Sequence, residues 1–156
     1  KIKMKLSLIV FMAVIMIGSV YGYHTLQTSF RNSDDVFEYV TTGDHKIYIL
    51  FIYNGKWAAE EVNHPMKLRY DLQRDDLAKI LSKYGRDVHF SEINVNNGDF
   101  KLLLQEVGIN SVDLDLNPVT VVIDDGHGVW VQGPREYHRI ANIIEKFVED
   151  PSTHWY

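Results

Sequence analysis

The sequence predicts an α/β domain built on a mixed sheet, with an apolar segment ahead of it long enough to cross a bilayer. Three observations predict it. The run "KIYILFIY", residues 46–53, is continuously apolar and rich in β-branched and aromatic residues, which suits a central strand buried on both faces. Segments with apolar residues at helical spacing alternate with strand-like runs. The stretch "PVTVVIDDGHGVWVQGP", residues 118–134, reads as two strands joined by a tight turn. An antiparallel pair must therefore close one side of a sheet whose other strands are joined by helical crossovers.

Residues 1–5 hold three lysines, and residues 6–23 follow as eighteen positions without Lys, Arg, Asp or Glu. A helix of roughly 20 residues spans the hydrocarbon core. Residues 1–23 are thus expected to be a membrane anchor inserted in the lipid bilayer through residues 6–23, with a signal peptide cut near Val20 and Gly22 as the alternative. The lysines keep their end on the cytoplasmic or matrix side, and the domain lies opposite. No Asn-x-Ser/Thr acceptor occurs, so nothing favours a glycosylating lumen. The expected location is the mitochondrial inner membrane, domain in the intermembrane space; the alternative is the endoplasmic reticulum membrane or lumen.

Residues 24–32 read as a juxtamembrane linker, 33–150 as the domain and 151–156 as a tail. Ser33 is expected to cap a first helix, with Asp34 and Asp35 at its positive end and Gly43 stopping it. After the central strand a helical region covers 59–84, interrupted by Pro65 and ended by Gly85, with Leu77, Ile80, Leu81 and Tyr84 as its apolar stripe. "DVHFSEINV", residues 87–95, alternates with period two. A short helix over 99–107 buries Phe100, Leu103, Leu104 and Val107 and stops at Gly108. The hairpin comes next. The last helix, 135–149, buries Ile140, Ile143, Ile144, Phe147 and Val148.

Composition excludes several functions. There is no cysteine, hence no disulfide, no thiolate metal site and no thiol redox chemistry in this chain alone. From residue 32 onward twelve basic residues face twenty-one acidic ones, a net charge of −9. Such a domain, without a basic stripe, is not a nucleic-acid binder.

Five features, in this order along 33–150, resemble the thioredoxin family. Trp57 stands where that family has a tryptophan before its CxxC pair. Pro65 lies near the proline of the active-site helix. "INVN", residues 93–96, is similar to a characteristic strand end. Pro118 matches the cis-proline facing the site, and "DDGHG", residues 124–128, the last turn. The resemblance implies a thioredoxin-like fold, a cis Asn117–Pro118 bond, and a vestigial site at Trp57, Ala58, Ala59, Glu60, Glu61 and Pro118. Both family cysteines are missing there, so thiol–disulfide exchange has no thiolate to run on. The link "GINSVDLDLNP" before Pro118 is also longer than the family's.

Other candidate chemistry is weak. Glu60 and Glu61 suit the positive end of a helix better than a catalytic or metal role. Asp113 and Asp115 alternate with packed Leu114 and Leu116 in what reads as an extended loop, and hard cations need six or more oxygens. His64 and His127 could approach the site, but no histidine pair has helical zinc-ligand spacing. No catalytic residue, metal or cofactor is expected. Trp57, Trp155 and Tyr156 are the expected partner-binding residues, since aromatics anchor interfaces. The tail rings are expected on a neighbouring subunit, with packing against the domain's own surface as the alternative. The expected function is that of a redox-inactive, single-pass accessory or structural subunit of a larger membrane complex, such as a respiratory-chain complex. Two alternatives are a lumenal, chaperone-like domain holding clients non-covalently, and a cysteine-free glutathione-binding enzyme.

Overall fold

The computed structural model describes residues 26–27, 29–41, 46–58, 63–84, 88–96, 98–133 and 137–149. The expected anchor lies outside these residues, as do Ala59, Glu60, Glu61, Trp155 and Tyr156. Among the described residues no helix is long and apolar enough to cross a membrane.

Four strands, β2 (Ile47–Tyr53), β3 (Val88–Asn94), β4 (Val119–Asp124) and β5 (His127–Gln132), form a mixed sheet, and the two-residue β1 (Leu26–Gln27) adds an edge. Their order is β1-β3-β2-β4-β5. β2 pairs in parallel with β3, Leu50 opposite Ser91, and antiparallel with β4, Phe51 opposite Thr120. Its alternate residues build two separate cores. Tyr48, Leu50 and Ile52 pack with Val36 and Val40 of α1 (Ser33–Val40) and with Leu103 and Leu104 of α4 (Lys101–Val107). Ile47, Ile49 and Phe51 pack on the other face with Leu77 and Leu81 of α3 (Pro65–Leu81) and Ile140 and Ile144 of α5 (Tyr137–Glu149). A single helical turn, α2 (Gly55–Ala58), follows β2 directly.

Several local details depart from the sequence expectation. Two residues of the expected linker form β1, pairing with His89 and Phe90. Asn32, not Ser33, caps α1 by accepting from Asp35 N at 2.9 Å. Ser33 is buried and ties α1 to α4: its Oγ donates to Asp99 O at 3.1 Å and accepts from Leu103 N at 3.0 Å. Pro65 does not interrupt a helix but begins one, at the position where a missing N–H costs nothing, with His64 as the cap. Val148, expected in the core, is 51% exposed on the last turn of α5.

The link before Pro118 is not extended. Asp113–Asp115 forms a 3-10 turn that buries Leu114 completely and leaves Leu116 61% exposed. The expected cis bond at Asn117–Pro118 is also corrected: no peptide bond among the described residues is cis. The turn supplies the change of direction itself. Leu116 N and Asn117 N both donate to Asp113 O, at 3.1 and 3.3 Å, and deliver a trans Pro118 straight into β4. The β4–β5 turn is as expected: Asp125 (φ 47°) and Gly126 (φ 77°) are both left-handed, the two-residue geometry that matches strand twist.

Ser33→Ala is expected to lower stability by about 1–3 kcal/mol, because it orphans the buried Leu103 N–H. Asn32→Ala, a cap loss, is expected to cost about 1 kcal/mol. Urea unfolding midpoints of the two variants check the order; a larger loss for Asn32→Ala would contradict it.

Candidate functional site

The site sits where β2 and β3 end and β4 begins. Asn54 leaves β2, and the α2 turn carries Lys56, Trp57 and Ala58 immediately after it. Asn94 ends β3, Asp115 ends the 3-10 turn, and Pro118 is buried just before β4. The fold thus brings the α2 turn, the 3-10 turn and Pro118 to one end of the sheet; Ala59, Glu60 and Glu61 lie outside the described residues.

Hydrogen bonds lock this end together. Asn94 Oδ1 accepts from Gly55 N at 3.0 Å and from Asn96 N at 3.1 Å, so one side chain joins the two strand exits. The approach is close: a Cβ on Gly55 would collide with the Asn94 side-chain amide and push it aside. Asn54 Oδ1 accepts from Lys56 N at 3.2 Å, and its Nδ2 donates to Asp115 Oδ1 at 2.7 Å. Lys56 Nζ reaches the same oxygen at 2.6 Å. The link before Pro118 is therefore strapped across to the α2 turn. From the far side Gln132 Nε2 donates to Asp113 O at 3.0 Å and Asn117 O at 3.3 Å, and Gln73 Nε2 donates to Asn117 Oδ1 at 3.4 Å. The Lys56 hydrogen bond holds the Asp115 carboxyl below its ordinary 3.8; burial opposes it, and the Asn54 hydrogen bond and the Lys56 charge add to the lowering.

The strap carries two large apolar side chains into water, Val112 (64% exposed) and Leu116 (61% exposed). Beside the site, burial and then the Glu92 charge raise the Tyr53 and Tyr70 phenols above their ordinary 10.0, so both stay neutral and neither is a nucleophile at pH 7. His64 is spent on its cap, accepting from Met66 N at 3.3 Å. His127 cannot approach: it pairs with Asp124 at the opposite end of β4, about 17 Å from the site at the rise of a strand. Among the described residues no cluster of three or more metal-binding side chains exists. Sequence reasoning missed Asn54, Gly55, Asn94 and Asp115 as a connected set; the only signal was a glycine directly after the strand and the polar strand end "INVN".

No family model matches the chain, and no curated protein matches it. Solved structures do. Thioredoxin f from spinach chloroplast, in its short form, superposes with a TM-score of 0.55 at 20% identity, over 81% of this chain and 97% of that one. Thioredoxin from Trypanosoma brucei brucei gives 0.54 at 11% identity, over 83% and 96%. Schistosoma mansoni thioredoxin gives 0.53 at 17%, over 78% and 95%. The chain has a thioredoxin-like fold. This thioredoxin-like domain contains no cysteine anywhere, so the scaffold stands without the thiol pair that the resemblance would place after Trp57.

Gly55→Ala is expected to displace the Asn94 side chain and cost about 1–3 kcal/mol through the lost hydrogen bonds. Thermal melts of this variant, of Asn94→Ala and of the double variant check it: with the Asn94 amide already removed, Gly55→Ala is expected to cost little more. The strap has an acid limit. Because the folded-state value of Asp115 is lowered, its contribution is present at neutral pH and is lost only as the pH falls through that lowered value. The site is partly exposed, so the contribution is about 0–1 kcal/mol. Lys56→Ala is expected to move the Asp115 midpoint upward, toward 3.8, in an NMR titration of the carboxyl carbon; an unmoved midpoint would remove Lys56 as the main cause.

Proposed function

We propose that this chain is a non-catalytic, thioredoxin-like accessory subunit of a larger membrane protein complex, held to the bilayer by residues 6–23. One observation carries the reading: the end of the sheet that would hold a thiol pair keeps its scaffold, has no thiol, and is strapped by Asp115 to Asn54 and Lys56. A site braced in this way supports a docking role better than turnover. The strap's exposed Val112 and Leu116, next to the turn bearing Trp57, supply apolar contact area for a partner subunit. The proposed setting is the mitochondrial inner membrane with the domain in the intermembrane space, in a respiratory-chain complex.

The test is biochemical. The chain is expected to resist carbonate extraction, to co-migrate with one membrane complex in fixed proportion, and to show no insulin reduction above a buffer blank. Val112→Asp with Leu116→Asp is expected to release it from the complex at least tenfold while leaving the melting temperature nearly unchanged, since both side chains are already in water (tenfold is about 1.4 kcal/mol). Transient capture of unfolded clients in a lumen, or saturable glutathione binding, would instead establish one of the alternative functions.

A further inference from the structure

On the face of the sheet covered by α1 and α4, at the end opposite the site, a cavity of about 510 Å³ opens. Its walls include Val40 from the last turn of α1, Leu103 and Val107 from α4, and Val121 and Ile123 from β4, with Glu106 among them. Gly126 and Gly128 of the hairpin form its lower lip, and the same face continues to Trp130, opposite Val121 and 44% exposed. The cavity is open and largely apolar, with the Thr41 hydroxyl and the Glu106 carboxyl group at its wall.

The path of α5 shows what can reach it. Tyr137 lies against Thr120, near the start of β4. Four residues later Ala141 O accepts from Tyr84 Oη at 3.5 Å. Tyr84 stands just past the end of α3, on the side of the sheet where β2 and β3 begin, Ile47 opposite Val88. Ile47 is also opposite Asp124, so the β4–β5 turn lies at that end too. α5 therefore runs toward the β4–β5 turn, over β2, β4 and β5, and its eight residues beyond Ala141 carry it about 12 Å further. The seven residues 150–156, "DPSTHWY", leave from there. Fully extended they span about 23–25 Å, enough to round the hairpin tip and enter the cavity on the opposite face. Residues 1–25, by contrast, join the domain at β1, the far edge of the sheet.

We propose that residues 150–156 fold around the β4–β5 turn and seat Trp155 and Tyr156 in this cavity, rather than on a neighbouring subunit. The chemistry fits. The two rings are apolar bodies with polar tips, and each tip is a hydrogen donor that needs an acceptor once buried. Glu106 is an acceptor at the wall, and Trp130 extends the apolar floor. Gly126 leaves room at the hairpin lip for a chain to pass: only Thr41 Cγ2 lies within 4 Å of where its Cβ would be, at 3.7 Å, whereas Gly128 is packed against Ile123. Docking of the tail stands whether or not the domain joins a membrane complex.

The absence of cysteine makes the test direct, because an introduced thiol is unique in the chain. In the full chain Glu38→Cys, exposed on α1 one turn from the cavity and outside its lining, carrying a nitroxide, is expected to abolish the Trp155 indole N–H signal, assigned by its loss in Trp155→Ala. An undiminished indole signal overturns the proposal. As a second reading, Trp155→Ala with Tyr156→Ala is expected to shift the methyl signals of Val107, Val121 and Ile123 and to leave those of Leu81 and Val88, on the other face, in place. Cavity methyls that ignore these substitutions overturn it. So do methyls that respond to protein concentration, which would put a second copy in the cavity, or to removal of residues 1–23, which would put the apolar segment there.

Discussion

Strand β2 turns neither face to water, and the rest of the structure follows from that. Six of its seven residues are buried, and its odd and even positions feed two cores that share no side chain. A strand in this position cannot slip by one residue without exchanging the contents of both cores, so its register is fixed from two sides. Fixing β2 also fixes where its last residue emerges. Asn54 and Gly55 leave the sheet at one spot, between the end of β3 and the start of β4. That is why a site exists at this end: three strand termini converge there, and their loops have to be reconciled.

The reconciliation is polar. Asn94 bridges two strand exits, Asn54 and Lys56 share one oxygen of Asp115, and Gln132 and Gln73 hold the remaining edge of the link. Each bond alone is worth little in a partly exposed place. Their joint effect is positional: they set the 3-10 turn beside the α2 turn and orient Leu116 outward. At this sheet end the link before Pro118 lies against the α2 turn, held there by Asn54 and Lys56.

What the sequence disclosed depended on range. β2, the hairpin and α5 could be read because their signals are local: an unbroken apolar run, a turn dipeptide with two left-handed positions, and isoleucines at helical spacing. Ser33 was misread because Ser and Asn cap equally well, and the choice was made by Asp99 and Leu103, far along the chain. "DLDL" alternates like a strand, yet it curls because Leu114 has a core to enter and Asp115 has Lys56 to meet. β1 is two residues long and pairs through its backbone, which leaves no pattern to detect. The site residues were polar positions in apparent loops, indistinguishable from solvent-facing ones until the strand ends were placed side by side.

The strand order has a kinetic consequence. β4 and β5 meet across a two-residue turn, so this hairpin forms by a short closure. β2, in contrast, finds both its neighbours far along the chain, β3 beyond α3 and β4 beyond α4 and the 3-10 turn. Each pairing must close a long loop before any burial offsets the entropy. The most apolar segment of the domain is therefore the one that waits longest for partners. During that wait a seven-residue run with no charge and no proline is open to association with other chains. Synthesis from the N-terminus lengthens the exposure, because β2 emerges well before β4.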